Sequence, residues 1–160
     1  MSLGGALAGG FVGTLVLTTA LVTASHLRLT RIDLPFLLGT AFTADRVRAV
    51  GIGYAAHFVF GLVFATLYWL VFLAIGRAGW RLGLLFGLGH ALFAGTALVN
   101  IVLPVVHPRM GTRFHASHQA ALLEPPGFLL LNYGPSTPAV TIVAHLAYGA
   151  IVGWFIGLER

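Results

Sequence analysis

Long apolar stretches separated by short polar segments dominate the chain. Four stretches contain no Asp, Glu, Lys or Arg and are long enough to cross a bilayer, which takes about 20 residues; they cover residues 2–25, 50–75, 82–106 and 138–158. None alternates apolar and polar residues as a half-buried strand does, and the length allows too few strands for a membrane β-barrel. The pattern predicts an all-α integral membrane protein, a four-helix transmembrane bundle that forms one domain over residues 1–160.

The order of small, polar and aromatic residues runs through the sequence twice. Each half contains the same five motifs in the same order. They are Gly-Thr (from residues 13 and 95), His-x-Arg (26 and 107), acid-x-Pro (33 and 124), Phe-Leu-Leu (36 and 128) and Ala-His-x-x-x-Gly (56 and 144). Two helices per unit give both units the same orientation. The order therefore predicts two parallel helix-loop-helix pseudo-repeats, about 1–76 and about 82–160, related by an axis along the membrane normal.

Two short apolar pieces, residues 34–42 and 128–133, occupy matching places in the two units. Both are too short to span a bilayer. We expect them to lie at the membrane interface or to dip into the protein as re-entrant segments, where neighbouring protein can satisfy their backbone.

Composition supports lipid as the main solvent. The chain is 58% hydrophobic and 8% charged, whereas soluble domains carry roughly 25% charged residues. The net charge of +5 comes from arginines between apolar runs, and no basic stripe accompanies aromatic platforms, so we expect no nucleic-acid partner;. The absence of Cys excludes disulfides, thiolate-ligated iron–sulfur clusters and thiol catalysis;.

The arginines predict the orientation. Six arginines lie on the side of the first and third loops and three on the other side. The positive-inside rule then places the first and third loops in the cytoplasm and both termini outside, and we expect a bacterial inner membrane. Trp69, Trp80 and Trp154 all fall near the opposite helix ends, where indole rings favour the headgroup layer;.

Small residues recur every four positions in the apolar stretches. Such a step changes direction only slightly around a helix, so each set forms a groove that lets another helix approach closely. The sets are Gly5, Gly9 and Gly13; Gly61 and Ala65; Gly83, Gly87, Ala91 and Gly95; and Gly149, Gly153 and Gly157. The grooves predict helix packing, and they also offer surfaces for a homo-oligomer or a larger membrane complex.

Histidines supply the candidate chemistry. His57 and His145 each stand four residues before a groove glycine, about seven residues into their helices, so we expect both rings inside the bundle at one depth;. Neutral imidazole suits Zn, Cu, Fe and Ni, and two facing imidazoles also suit haem. We therefore expect His57 and His145 to hold a transition metal or haem in a polar cavity near the cytoplasmic end. Further candidate ligands on that side are His26, His107, His115, His118, Asp33 and Glu124.

Other interpretations of the same residues remain open. His90 falls nearer the opposite face, apart from this set. Each histidine could instead hydrogen-bond one helix to another, and Arg28 with Asp33, or Arg109 with Glu124, could pair at the interface. A transporter or channel module, or an accessory subunit of a larger complex, fits the same pattern. No motif specifies a reaction, so the sequence assigns no enzyme activity.

Overall fold

The computed structural model describes residues 1–110 and 123–158. Within these ranges the chain is helical apart from turns, loops and one isolated bridge between Met110 and Leu123. In chain order the helices are α1 (Leu3–His26), α2 (Leu34–Gly39), α3 (Arg46–Ile75), α4 (Trp80–Phe93), a π-helical segment (Ala94–Val102), α5 (Leu103–Val106), a 3-10 helix (Phe128–Tyr133) and α6 (Thr137–Gly157).

Four helices are long and apolar enough to cross a membrane, which confirms that part of the prediction: α1, α3, the continuous stretch Trp80–Val106, and α6. Their ends differ from the predicted apolar runs most at α3, which begins before residue 50. Asp45 accepts a hydrogen bond from the N–H of Arg48 (2.8 Å) and so caps the helix ahead of its apolar part;. At the other end, Gly76 stops α3 with a φ of 70°;.

The closest helix pair is α4 with α6, which run antiparallel. Gly83 faces the carbonyl of Gly149, Gly87 faces the carbonyl of His145, and Gly153 faces Gly79. A Cβ atom on Gly83, Gly87 or Gly149 would collide with backbone across the pair. The predicted grooves of these two helices therefore interlock with each other and bring their backbones into contact.

Helix α1 packs between α6 and α3, antiparallel to both. Gly13 contacts the Tyr148 ring on α6, and Gly61 of α3 lies directly against Thr14. Gly10, which the four-residue pattern misses, faces Ala65. It follows that α1 runs parallel to α4, and that α3 runs parallel to α6.

The short apolar pieces form short helices that fold back onto the bundle. Helix α2 docks on α3 at two glycines, Gly39 against the backbone of Ala49 and Gly53 against the backbone of Pro35. The 3-10 helix matches the second predicted piece and holds Leu129 and Leu130 at positive φ, 52° and 63°.

Helices α3 and α4 pack through large rings near their connecting turn. Phe86 lies 5.0 Å from Phe72 and 5.4 Å from Tyr68 between ring centroids, and Phe64 stacks on His90 at 3.8 Å. These rings form an aromatic layer between the two helices. Past this layer, a cavity separates α3 from the π segment and α5. A nine-residue π-helix is unusual, because π geometry mostly occurs as single-turn bulges, often at functional sites;.

Glycine contacts between α4 and α6 generate the first testable prediction. Gly149→Ala should lower the free energy of unfolding by about 1–3 kcal/mol, because the added methyl meets the carbonyl oxygen of Gly83;. Gly89→Ala on α4 is the matched control, since nothing lies within 4 Å of its Cβ position. It should be neutral or stabilise by up to about 1 kcal/mol. The measurement is unfolding in mixed micelles; equal effects of the two substitutions would contradict the packing described.

Candidate functional site

A large cavity lies between α3, α6 and the α4–π–α5 helix, and α1, α2 and the 3-10 helix complete its walls. Its volume is about 620 Å³, and leucine, valine and phenylalanine side chains form most of the lining. We call it the central cavity. Its polar exceptions are Thr14, His57, His90, His107, Thr141, His145 and Tyr148. The sequence predicts a polar cavity, whereas the observed lining is mostly apolar. The histidines are among its few polar groups.

His57 reaches the central cavity from α3, and a hydrogen bond fixes its proton. The Thr18 hydroxyl has one hydrogen, and placing it on the shorter contact, to the carbonyl of Thr14 (2.6 Å), leaves its oxygen to accept from Nδ1 of His57 (3.0 Å);. A neutral ring that carries its proton on Nδ1 has a lone pair on Nε2. Among the residues that the structure describes, nothing bonds this Nε2.

His145 reaches the same cavity from α6 with the same tautomer. Its Nδ1 lies 2.8 Å from the carbonyl of Thr141, and a carbonyl can only accept, so Nδ1 carries the proton;. The ring is buried, and its Nε2 also has no partner in the described chain. His57 and His145 line the same cavity. Two imidazoles therefore offer acceptor nitrogens to one cavity.

His90 completes this group, which we call the histidine cluster (His57, His90 and His145). Its ring centroid lies 4.7 Å from that of His145, edge to face. Phe64 covers its other side, and the Tyr68 hydroxyl lies 3.4 Å from its Nδ1. The cluster thus sits at the boundary between the aromatic layer and the cavity.

Thr141 lines the central cavity, but its hydroxyl oxygen has almost no surface accessible from it. In the described ranges this Oγ1 is the one fully buried side-chain polar atom without a hydrogen bond. A buried hydroxyl left unpaired costs about 1–3 kcal/mol, so such a group calls for an explanation. It stands one turn before His145 on the same face of α6;.

His107 has a structural role at the cavity wall. Its Nε2 donates to the carbonyl of Leu37 (2.9 Å), and its Nδ1 accepts from the N–H of Arg109 (3.2 Å). Arg109 also donates to the carbonyl of Thr40 (2.6 Å), so this pair anchors the end of α5 to α2. Both ring nitrogens are occupied, which leaves His107 no free lone pair.

The remaining predicted ligands lie elsewhere. His26 and Asp33 line a separate pocket of about 190 Å³ between α1, α2 and α3, and Asp33 caps α2 through the N–H of Phe36 (3.0 Å). Glu124 is exposed and pairs with Arg31 at 3.6 Å, not with Arg109. His115 and His118 lie outside the described residues. Among those described, no group of three or more His, Asp or Glu is arranged to hold a metal ion.

Sequence reasoning missed two members of the site, His90 and Thr141. Position along the sequence separates His90 from the other histidines, because it lies nearer the opposite helix end. A depth comparison across antiparallel helices could have found it: His90 is ten residues from the start of α4 and His145 twelve from the end of α6. At 1.5 Å per residue these depths differ by about 3 Å. The lack of a partner at Thr141 leaves no signal in sequence.

No protein-family model, no curated protein and no solved structure matches the chain. The site must therefore be interpreted from its own geometry.

His107 generates a pH prediction. Burial lowers the pKa of His107 below the usual 6.5, the charge of Arg109 adds to this, and the hydrogen bond to Leu37 opposes it. Below about pH 6.5 the unfolded chain binds a proton there that the folded chain does not yet bind, so stability falls as pH falls. The slope of unfolding free energy between about pH 7 and 5 should be steeper in the wild type than in His107→Gln, which keeps a donor for Leu37 but does not titrate. Equal slopes in the two proteins would count against this assignment.

Proposed function

We propose that this chain is an integral membrane protein that binds a largely apolar small molecule in its central cavity, with the polar group of that molecule held at the histidine cluster. The observation that carries the proposal is the cavity itself, about 620 Å³ of mostly apolar lining that also contains the rings of His57, His90 and His145. Two imidazoles with open acceptor nitrogens line the same space.

Membrane insertion is supported by the outer surface. Every long helix exposes large apolar side chains to solvent, such as Phe11, Val63, Leu85 and Val143. Soluble monomers rarely expose contiguous apolar surface of this extent. Lipid is therefore the partner that covers it, and the arginine bias favours a bacterial inner membrane with both termini outside.

The two-unit architecture belongs to the same proposal. Helices α1 and α4 run parallel, as do α3 and α6, which agrees with parallel repeats, although the tight contact of α1 with α6 has no equally tight counterpart between α4 and α3;. The short helices at matching places, α2 and the 3-10 helix, contribute Leu37 and Leu130 to the cavity wall.

Size and lining favour an organic ligand. Small-molecule pockets span about 300–1,000 Å³ and combine an apolar lining with a few polar groups, and the central cavity at about 620 Å³ fits this description;. A metal ion alone would leave most of this space unfilled.

The cavity rim indicates where such a molecule enters. Phe42 and Val106 line the cavity and are 67% and 63% exposed, and Phe60 and Val102 of the same lining are exposed as well. Phe42 follows α2, Phe60 belongs to α3, and the two valines belong to the end of the third long helix, on a surface that we assign to lipid. We propose that the ligand arrives sideways from the bilayer between α3 and α5.

A transition metal or haem is the second candidate, and one observation favours it. His57 and His145 each donate Nδ1–H to a neighbouring oxygen, as metal-binding histidines commonly do;. Absorbance spectra and elemental analysis of the purified protein distinguish this candidate from an organic ligand. If the same site also transports its ligand, the purified protein should carry that ligand across the membrane of liposomes.

The ligand proposal predicts the effect of filling the cavity. Ala94→Trp should remove at least about nine-tenths of any small molecule that co-purifies with the wild type, because residue 94 lines the cavity;. Ala97→Trp, in the same π segment but outside the lining, is the matched control and should retain it. Native mass spectrometry of nanodisc preparations gives the occupancy. A wild type that carries only a metal or haem, or nothing at all, would count against the proposal.

The orientation is tested separately. Cysteines placed at Arg46 and Arg77, one at a time, should react with an impermeant thiol reagent from opposite sides of the membrane, with residue 46 on the cytoplasmic side. The chain has no Cys of its own, so labelling is specific. Labelling of both positions from one side contradicts the four-span arrangement.

A further inference from the structure

Two cavities of this protein lie side by side and share part of their walls. The second one is the pocket of about 190 Å³ between α1, α2 and α3, which we call the polar crevice. We infer that the polar crevice is the aqueous entrance of the central cavity, through which the bound molecule passes between the protein and water. This inference rests on the proposed function, since it adds a water-side route to the lipid-side route of the same molecule.

The shared wall consists of three apolar side chains. Leu21 of α1, Ile32 of the connection between α1 and α2, and Leu34 of α2 line both the polar crevice and the central cavity. A side chain that lines two spaces at once is the layer between them, so the partition is one residue thick at these positions. A side-chain movement there is enough to join the two spaces.

A hydrogen bond crosses the same partition. Thr18 lines the polar crevice, His57 lines the central cavity, and 3.0 Å separate Oγ1 of Thr18 from Nδ1 of His57. The inner end of the crevice therefore adjoins the histidine cluster, which is where the proposed function places the polar group of the ligand.

The polar crevice faces water. His26 and Asp33 line it and have exposed side chains, and Ser25 and Tyr54 add hydroxyl groups to the lining. An ionised carboxylate such as that of Asp33 is costly in hydrocarbon, so this lining belongs at the aqueous end of the bundle. The central cavity is exposed instead through apolar residues such as Phe42. The two spaces thus face different solvents, as a molecule with an apolar body and a polar end requires in order to move between bilayer and water.

Leu34 is the least buried member of the shared wall. Leu21 and Ile32 are buried, whereas Leu34 is partly buried. Its backbone is held in place, because Gly53 of α3 lies directly against the backbone of Pro35, the next residue. The entrance therefore opens through a rotamer change of the Leu34 side chain, while α2 stays docked on α3.

The experiment measures access from water to the central cavity by cysteine labelling in nanodiscs. Ala94, which lines that cavity, is replaced by Cys in a chain that has no Cys of its own. A charged methanethiosulfonate reagent, which does not dissolve in lipid, reports the rate at which residue 94 is reached. Adding Leu34→Ala should raise this rate at least about tenfold, because it removes most of a side chain that separates the two spaces.

Leu38→Ala is the matched control for the wall. Leu38 also belongs to α2 and lines the central cavity, but it does not line the polar crevice. Its truncation enlarges the cavity without opening the wall, so the labelling rate of residue 94 should change by less than about twofold.

A second measurement leaves the wall intact and decides the inference even where Leu34→Ala fails to fold. Thr18→Cys and Thr19→Cys place a thiol at nearly the same depth on α1. Residue 18 lines the crevice, whereas residue 19 is exposed on the surface that we assign to lipid. The same reagent should label residue 18 and not residue 19, because the reactive thiolate forms in water and not in hydrocarbon.

The outcomes separate the two proposals. A labelling rate of residue 94 that rises equally in Leu34→Ala and Leu38→Ala, or in neither, overturns the aqueous entrance. Equal labelling of Thr18→Cys and Thr19→Cys overturns it as well. Neither result affects ligand binding, which the comparison of Ala94→Trp with Ala97→Trp tests; a failure of binding in that comparison leaves the labelling results unchanged.

Discussion

Close backbone contact between α4 and α6 is the constraint on which the rest of the structure depends. In the lipid setting that we propose, burial of apolar surface supplies little drive for helix association, so van der Waals contact at small residues carries it. Gly83, Gly87 and Gly149 provide that contact, and α1 adds a second tight face through Gly13. Because α4 is fixed to α6 and α3 is fixed to α1, only the aromatic layer joins α3 to α4. The space beyond that layer is the central cavity.

The same packing places the polar groups. Gly87 lies against the carbonyl of His145, which brings α4 close enough for His90 to meet the His145 ring at 4.7 Å. On the other side, contact of Gly61 with Thr14 brings α3 to α1 and allows Thr18 to orient His57. The glycine spacing thus affects the histidine chemistry. The grooves determine which helices are in contact, and these contacts determine which ring nitrogen of each histidine is left without a hydrogen bond.

Much of this could be predicted from sequence, for physical reasons. Apolar length defines the four long helices, and four-residue spacing defines the grooves, because both are local properties of one helix. The doubled Ala-His-x-x-x-Gly motif also brings His57 and His145 to one cavity, as the structure places them. The remainder depends on pairing between helices. His90 joins the cluster through the antiparallel register of α4 and α6, α2 docks through Gly39 and Gly53, and the π segment follows no sequence propensity. The alternative pairs Arg28 with Asp33 and Arg109 with Glu124 do not form among the described residues, where Asp33 caps α2, Arg109 anchors to Thr40, and Glu124 meets Arg31.

The central claim is that the cavity holds a largely apolar molecule whose polar group meets the histidine cluster. The most direct test is a high-resolution structure of the protein purified from its native membrane in nanodiscs. The account predicts elongated density that begins beside the rings of His57 and His145 and extends towards Phe42 and Val106, two exposed residues of the cavity lining. An unfilled or collapsed cavity would contradict it.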